Sequence, residues 1–333
     1  MNQKENVASA LGSILLGILL IVMKGKIITA AITLLAVFVI VGAIMDFVAG
    51  LVNYGIVKSV AGICMKTAIT PMISIKGDEK AIRSLITILL DNAGLQVGLT
   101  ETVEVSGALL CLDVTEQVVE EAIEKGCNLI VSHHPLIFRK LARISDENYV
   151  QRTVRKAIKN DIAIVSMHTN MDAAMGGVNF KIAEKLGLKN LKFFAGEKEV
   201  DGVKGGEGVI GEVPETEGWA ADDLVLLLRD KFAVESVQCN QLLRRPIRRV
   251  ALCGGAGSFL LDAAIQAGAE AFITGEMHYH EYFGHEQEIQ ICVIGHYQSE
   301  QFTSEIFKSI IEEKCLGVKC LISEINTNPI IYL

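Results

Sequence analysis

Short apolar segments alternate with amphipathic ones from about residue 72 to the C-terminus. The helical spacing of apolar residues predicts helices at residues 78–90, 115–125, 148–159, 260–267 and 299–313. Apolar runs between them predict buried strands at residues 108–112, 129–131, 163–166, 249–252, 271–274 and 291–294. Strands that alternate with helices are typical of α/β folds with parallel strand pairing.

Two segments of this pattern resemble each other. Residues 121–132 align with residues 263–274, since both contain the end of a helix, a glycine, a strand and a final Ser or Thr. Chance similarity between helix-glycine-strand units is the alternative explanation. The alignment favours two related α/β lobes, at about residues 72–200 and 201–333. Each lobe would then deliver polar side chains from the carboxyl end of an equivalent strand, where α/β sheets usually bind ligands.

The first 71 residues follow a different pattern. Residues 8–64 are strongly apolar, and residues 27–44 form an uncharged run close to the shortest length that spans a bilayer. We therefore expect a hydrophobic helical leader that associates with a membrane. A pair of buried core helices is the alternative, although core helices usually keep a polar face. A weakly charged start and the lack of a cleavage site argue against a cleavable signal peptide.

Charge and cysteine content narrow the class of protein. The net charge of −8 argues against a dedicated nucleic-acid binder, which usually carries a basic surface. The eight cysteines form no CxxC pair. Such scattered cysteines are typical of free thiols in a reducing compartment, so we expect the globular part in the cytoplasm.

Clusters of histidines and carboxylates follow three of the predicted strands. His133 and His134 end one strand, Asp172 follows a second, and His296 and Glu300 follow a third with the spacing of one helical turn. Each cluster alone has an ordinary explanation, such as a buried histidine or a helix cap. Together, imidazoles and carboxylates at strand ends predict a two-metal site for zinc, manganese or iron. Asp172 is a carboxylate that could bridge the two ions.

Two further groups of residues have less certain roles. Glu276 and His280 could orient a ligand or handle a proton, or they could belong to a surface loop. The glycine-rich segment 254–257 could hold an anion ahead of a helix or form a plain tight turn. The sequence alone leaves both alternatives open.

Several motifs together resemble a known family, the type 2 homologues of GTP cyclohydrolase I, also called Nif-three-like dinuclear metal proteins. The resemblance covers about 260 residues, from about residue 72 to the C-terminus. The motifs that carry it occur in order: Asp91-Asn-Ala-Gly-Leu-Gln-Val-Gly98, Leu112-Asp-Val-Thr115, Ile130-Val-Ser-His-His-Pro-Leu-Ile-Phe138, His168-Thr-Asn-Met-Asp-Ala-Ala174, Gly176-Gly-Val-Asn179, Ile273-Thr-Gly-Glu276 with His280, and Gly295-His-Tyr-Gln-Ser-Glu300.

The resemblance implies a homohexamer of two-lobed α/β subunits with a dinuclear metal site between the lobes. It implies two divalent ions per subunit and His168 close to them. The ligands that it implies are His133, His134, Asp172, His296 and Glu300. The chain departs from the family in its hydrophobic leader, in Glu276 where Asp is usual, and in Leu90 where Trp is usual.

The expected function is hydrolysis of a small nucleotide-like molecule by a metal-activated water, as in a GTP cyclohydrolase type 2-like enzyme. The substrate class rests on the resemblance alone. The alternative is a non-catalytic protein that stores metal, senses it or serves as a scaffold. We expect the metal domain in the cytoplasm, tethered to a membrane if the leader inserts.

Overall fold

The computed structural model describes residues 92–98, 105–200, 203–315 and 317–332. The predicted leader at residues 1–71 and the predicted helix at residues 78–90 lie outside these ranges. Among the described residues, no helix combines the length and the apolar character that crossing a bilayer requires. The described part is a mixed α/β fold built on two sheets.

The first sheet contains five strands, and four of them run parallel. The antiparallel strand, at one edge, is β1, which pairs with β4. The remaining order is β4, β3, β2 and β11, so the C-terminal part of the chain returns to the opposite edge. The strands are β1 (Gly94–Val97), β2 (Ala108–Cys111), β3 (Leu129–Ser132), β4 (Ala163–Ser166) and β11 (Cys320–Ile322).

Two amphipathic helices cover the outer face of this sheet, and their starts follow ordinary capping chemistry. Helix α1 (Glu116–Glu124) begins after Thr115, whose hydroxyl accepts a hydrogen bond from the Val118 amide. Helix α2 (Tyr149–Lys159) begins after Asn148, whose side chain accepts from the Gln151 amide. Their apolar faces and the sheet form one buried cluster.

The second sheet contains six strands and mixes parallel with antiparallel pairs. Its spatial order is β5, β6, β8, β9, β10 and β7. The central strands β8, β9 and β10 are parallel, and the others pair antiparallel with their neighbours. The strands are β5 (Lys189–Val200), β6 (Val203–Glu212), β7 (Gln238–Cys239), β8 (Arg249–Cys253), β9 (Ala271–Thr274) and β10 (Gln290–Val293).

The remaining helices divide between the inside and the outside of the second sheet. The largest apolar cluster joins the inner faces of both sheets to helices α4, α5 and α8, while α6 packs on the outer face of the second sheet. A short α3 and a short α7 lie near strand ends. These helices are α3 (Thr169–Asp172), α4 (Val178–Lys185), α5 (Ala221–Phe232), α6 (Leu261–Gln266), α7 (His296–Glu300) and α8 (Thr303–Lys314).

The two similar sequence segments have the same local structure. Helix α1 ends before Gly126 and leads into β3, and α6 ends before Gly268 and leads into β9. Both glycines have positive φ, at 68° and 77°, which only glycine adopts without strain. The sheets divide the chain differently from the expected lobes, since β5 already belongs to the second sheet and β11 belongs to the first.

Candidate metal centre

The candidate ligands meet because parallel strands direct their carboxyl ends to one place. His133 and His134 directly follow β3, and Asp172 ends α3 just beyond β4. His296 and Glu300 begin and end α7, which follows β10 of the second sheet. Side chains from both sheets therefore lie in one cluster, as the strand-end position predicts for α/β folds.

Hydrogen bonds at the Nδ1 atoms orient the three histidines. His133 Nδ1 lies 2.8 Å from the Met167 carbonyl, and His134 Nδ1 lies 2.7 Å from Asp113 Oδ1. His296 Nδ1 lies 2.9 Å from Glu276 Oε1. With Nδ1 engaged in this way, Nε2 is the ring nitrogen that each histidine directs into the cluster.

Glu300 is the carboxylate that contacts both halves of the cluster. Its Oε2 lies 2.9 Å from His134 Nε2 and 3.1 Å from His296 Nε2. Its Oε1 lies 3.7 Å from His133 Nε2. The sequence suggested Asp172 as a bridging carboxylate, whereas the structure gives the spanning position to Glu300.

Asp172 belongs to one half of the cluster. Its Oδ1 lies 3.6 Å from His133 Nε2. Both atoms are buried, and neither has a hydrogen-bond partner among the residues that the structure describes. Unpaired buried polar atoms are rare in folded proteins and cost about 1–3 kcal/mol each, so a pair of them points to a group that would bind both.

Three groups of side chains each bring their ligand atoms within 4.8 Å of one another. The groups are His133 with Asp172 and Glu300, His134 with His296 and Glu300, and His133 with His134 and His168. All five predicted ligands therefore lie in one cluster, and Glu300 belongs to two of its groups.

The electrostatics of the cluster are those of tightly paired acids and bases. Burial lowers the pKa of His134, but hydrogen bonds and charges from Asp113 and Glu300 outweigh burial and raise it to about 10. Burial likewise raises the pKa of Glu300, but its histidine neighbours outweigh burial and bring the pKa well below the ordinary value. Burial raises the pKa of Asp172 to about 7, opposed by the charge of His133 and reinforced by that of Glu300. Protons and a metal ion would therefore compete for the same atoms.

The three residues that were expected to support the ligands lie in different places: two of them contact the cluster and one does not. His168 lies inside the cluster, with its ring centroid 5.3 Å from that of His133 and 5.6 Å from that of His134. Burial and the neighbouring histidine charges lower the pKa of His168 to about 4, so it is neutral at pH 7. Glu276 contacts His296, as given above. His280 instead packs against Tyr279 and Phe283 on an exposed turn.

Sequence reasoning missed two residues, Asp113 and Thr327. Asp113 follows β2, and its second oxygen, Oδ2, accepts a hydrogen bond of 2.7 Å from the Thr327 hydroxyl. Burial raises the pKa of Asp113, but bonds from His134 and Thr327 outweigh burial and lower it. The available signal was the position of Asp113 at the end of an apolar strand, the same signal that identified the histidines.

The glycine-rich segment after β8 forms a tight turn beside the ligands. Its amides at Gly254, Gly255 and Gly257 donate to the side chains of Asn179, Ser299 and Thr274 respectively. Since these donors already have internal acceptors, the geometry favours the structural interpretation over the anion site.

Comparison with known proteins identifies the family of the chain. The family model described as Duf34/NIF3 (NGG1p interacting factor 3) matches residues 83–329. The chain belongs to the Duf34/NIF3 family. A Duf34/NIF3 relative from Clostridium perfringens, a GTP cyclohydrolase 1 type 2 homolog, is 36% identical over 212 residues, which cover 63% of this chain and 79% of the relative.

Two other proteins resemble this Duf34/NIF3 chain over nearly all of their own length. A GTP cyclohydrolase 1 type 2 homolog from Lactococcus lactis is 30% identical, over 75% of this chain and 95% of the relative. A crystal structure of a Staphylococcus aureus hypothetical protein superposes with a TM-score of 0.68 at 29% identity. It covers 75% of this chain and 96% of that chain. The family model begins at residue 83, after the predicted leader.

The side chains of this Duf34/NIF3 cluster fit a divalent cation. Imidazole nitrogens and carboxylate oxygens are the ligands that zinc, manganese and iron accept. The buried atoms His133 Nε2 and Asp172 Oδ1 lack hydrogen-bond partners among the described residues. A cation between them would satisfy both atoms and offset the carboxylate charges.

Proposed function

We propose that this chain is a divalent-metal-dependent hydrolase with two ions per subunit. The observation that carries the proposal is Glu300, whose two oxygens face separate groups of ligands. His133 and Asp172 would complete one ion site, and His134 and His296 the other. Zinc, manganese and iron are the candidates that this ligand set suits.

In the proposed reaction, bound ions would lower the pKa of water and stabilise an oxyanion as water attacks the substrate. The residues of the chain hold the site in place. The Met167 carbonyl, Asp113 and Glu276 keep three Nε2 atoms directed inward. Neutral His168 lies beside them and could donate or accept a hydrogen bond to a bound substrate.

A nucleotide is the substrate class that we propose. Two relatives carry the name GTP cyclohydrolase 1 type 2 homolog. The side chain of Phe138 is 59% exposed, and its ring lies 6.3 Å from that of His168, perpendicular to it. An exposed aromatic ring beside the cluster could stack on a nucleobase.

The first experiment is elemental analysis of the full-length chain beside its His296→Ala variant. We expect about two ions per chain in the wild type and fewer in the variant, since His296 is one of the proposed ligands. Protein that stays empty after Zn²⁺, Mn²⁺ and Fe²⁺ are supplied would contradict the proposal.

Turnover separates hydrolysis from metal storage. We expect metal-loaded protein to hydrolyse one or more members of a panel of nucleotides and phosphoesters. His133→Ala and Asp172→Ala should abolish that turnover while circular dichroism shows a folded protein. Tight metal binding with no turnover of any member would favour a storage, sensing or scaffold role instead.

A further inference from the structure

The C-terminal tail, residues 323–332, reaches the same edge of the first sheet as the metal ligands. Strand β11 runs parallel to β2, with Ile322 opposite Leu110. The Ser323 amide then donates to the Leu110 carbonyl at 2.8 Å. Because the two strands are parallel, the chain leaves β11 at the carboxyl end of β2, where Asp113 lies.

Hydrogen bonds hold the tail along its path. The Ser323 hydroxyl donates to Glu121 Oε2, and the Glu324 amide donates to Glu121 Oε1. Further on, the Asn328 amide donates to the Asn326 side chain at 2.9 Å, a local turn that flanks Thr327. The tail is therefore attached to helix α1 before Thr327 and turns locally around it.

Thr327 and His134 bind opposite oxygens of the same carboxylate. The Thr327 hydroxyl donates to Asp113 Oδ2 and His134 Nδ1 faces Oδ1, both at 2.7 Å. A carboxylate held at both oxygens cannot rotate without breaking one of the bonds. Such a partner fixes the tautomer and the ring orientation of a metal-binding histidine.

We infer that Asp113 and Thr327 are positioning residues for metal binding at His134, so that the C-terminal tail is part of the metal centre. The inference rests on the proposed metal site. The chain from Thr327 to Asp113 to His134 ends at the ligand group that also contains His296 and Glu300. It does not include His133 or Asp172, so the inference assigns the tail to one of the two proposed ions.

The test is a Co²⁺ titration of the metal-free full-length protein, followed by visible absorption. We expect Thr327→Val to weaken the binding of one ion and to leave the other unchanged. The loss should be smaller than the roughly tenfold that a direct outer partner such as Asp113 contributes, because Thr327 acts on His134 only through Asp113. Thr327→Ser keeps the hydroxyl and should restore the affinity. Asp113→Asn, a second variant that keeps the side-chain shape, should weaken the same ion.

Thr153→Val is the matched control, because it removes the hydroxyl of a buried threonine in helix α2 without touching Asp113 or the tail. It should leave both Co²⁺ affinities unchanged. Wild-type affinity in both Thr327→Val and Asp113→Asn would overturn the inference but not the proposed metal site. An equal loss in Thr153→Val would have the same meaning. A wild-type chain that binds no Co²⁺ would overturn both the inference and the proposed metal site.

Discussion

Single residues at strand ends account for most of the candidate centre. The sequence predicted the five candidate ligands because each lies within a few positions of an apolar strand, and local order is enough to show that. It could not predict the pair formed by Asp113 and Thr327, which are 214 positions apart in the chain. Their contact depends on the return of the C-terminal strand to the first sheet, and that pairing leaves no local signal.

The backbone at Gly255 lies against the side chain of Glu300, one of the candidate ligands. Its φ is 58°, and a Cβ atom at this position would lie 2.4 Å from Glu300 Oε1. We predict that Gly255→Ala will displace Glu300 and reduce metal content, as measured by elemental analysis. The left-handed backbone adds a strain of about 1–2 kcal/mol.

Gly126→Ala is the control, because it introduces the same backbone strain without a contact between the new Cβ atom and a ligand. Gly126 has a similar φ of 68°, and its added Cβ would meet nothing within 4 Å. This variant should lower the melting temperature but keep the metal content of the wild type. Equal metal loss in both variants would mean that strain, and not the contact with Glu300, is responsible.

At the scale of elements, all six predicted strands are present, whereas helices α3 and α4 and the hairpin of β5 and β6 were not predicted. The helix predicted at residues 299–313 is divided into α7 and α8. Strand β6 contains glycines at positions 205, 206, 208 and 211 beside charged residues. Glycine and charged residues are depleted in strands, so this sequence resembles a loop. The hairpin forms because β6 pairs with β8 and buries Val209 and Ile210 between neighbouring layers.

The loop after β3 presents an aromatic ring beside the cluster. The Ile137 amide donates to Gln96 Oε1 at 3.0 Å, and its carbonyl accepts from the Asn92 side chain. These bonds fix the backbone directly before the exposed Phe138. We predict that Phe138→Ala will raise the KM for a nucleotide substrate about tenfold with little change in kcat, because stacking on a base is worth about 1–3 kcal/mol.

Two conservative variants test whether stacking is the cause. Phe138→Tyr keeps the ring and should keep the KM of the wild type, whereas Phe138→Leu keeps an apolar side chain without a π-face and should behave like alanine. Steady-state kinetics of metal-loaded protein give both constants. A leucine variant with wild-type KM would show that apolar contact, and not stacking, binds the substrate.

Glu121 joins helix α1 to the C-terminal tail. Its buried carboxylate accepts hydrogen bonds from Lys125, Ser323 and the Glu324 amide. Burial raises the pKa of Glu121, but these bonds outweigh burial and lower it. Since the folded pKa lies below the unfolded value of about 4.3, the stabilisation is present above that pH and is lost as the pH falls through the folded pKa.

We therefore predict that Glu121→Gln will destabilise the protein by about 1–2 kcal/mol at pH 7. The difference in free energy of unfolding between the variant and the wild type should shrink below about pH 4. The wild-type carboxylate takes up a proton there and becomes uncharged like the glutamine. Urea unfolding at both pH values measures the difference. Glu124→Gln, on the exposed side of the same helix, is the control and should change little at either pH. A constant difference across this range would rule out the charge as its source.

At the scale of the whole molecule, the exposed apolar side chains bear on the expected assembly of subunits. Several large apolar side chains in the described part are exposed in a single chain, among them Phe259 at 68%, Leu226 at 59% and Met175 at 57%. Exposed apolar surface of this kind often marks contact with another protein chain, and closed symmetric rings bury the same surface on every subunit. The family resemblance implies six subunits.

We predict that the full-length chain forms a hexamer, with a mass by light scattering six times that of one chain. The apolar residues 8–64 could add association of their own, so the measurement needs a non-ionic detergent in one arm. A protein mass that stays at six chains after the bound detergent is subtracted would place the assembly in the globular part. A mass of one chain in detergent would show instead that association depends on the leader, and the exposed apolar side chains would need another partner.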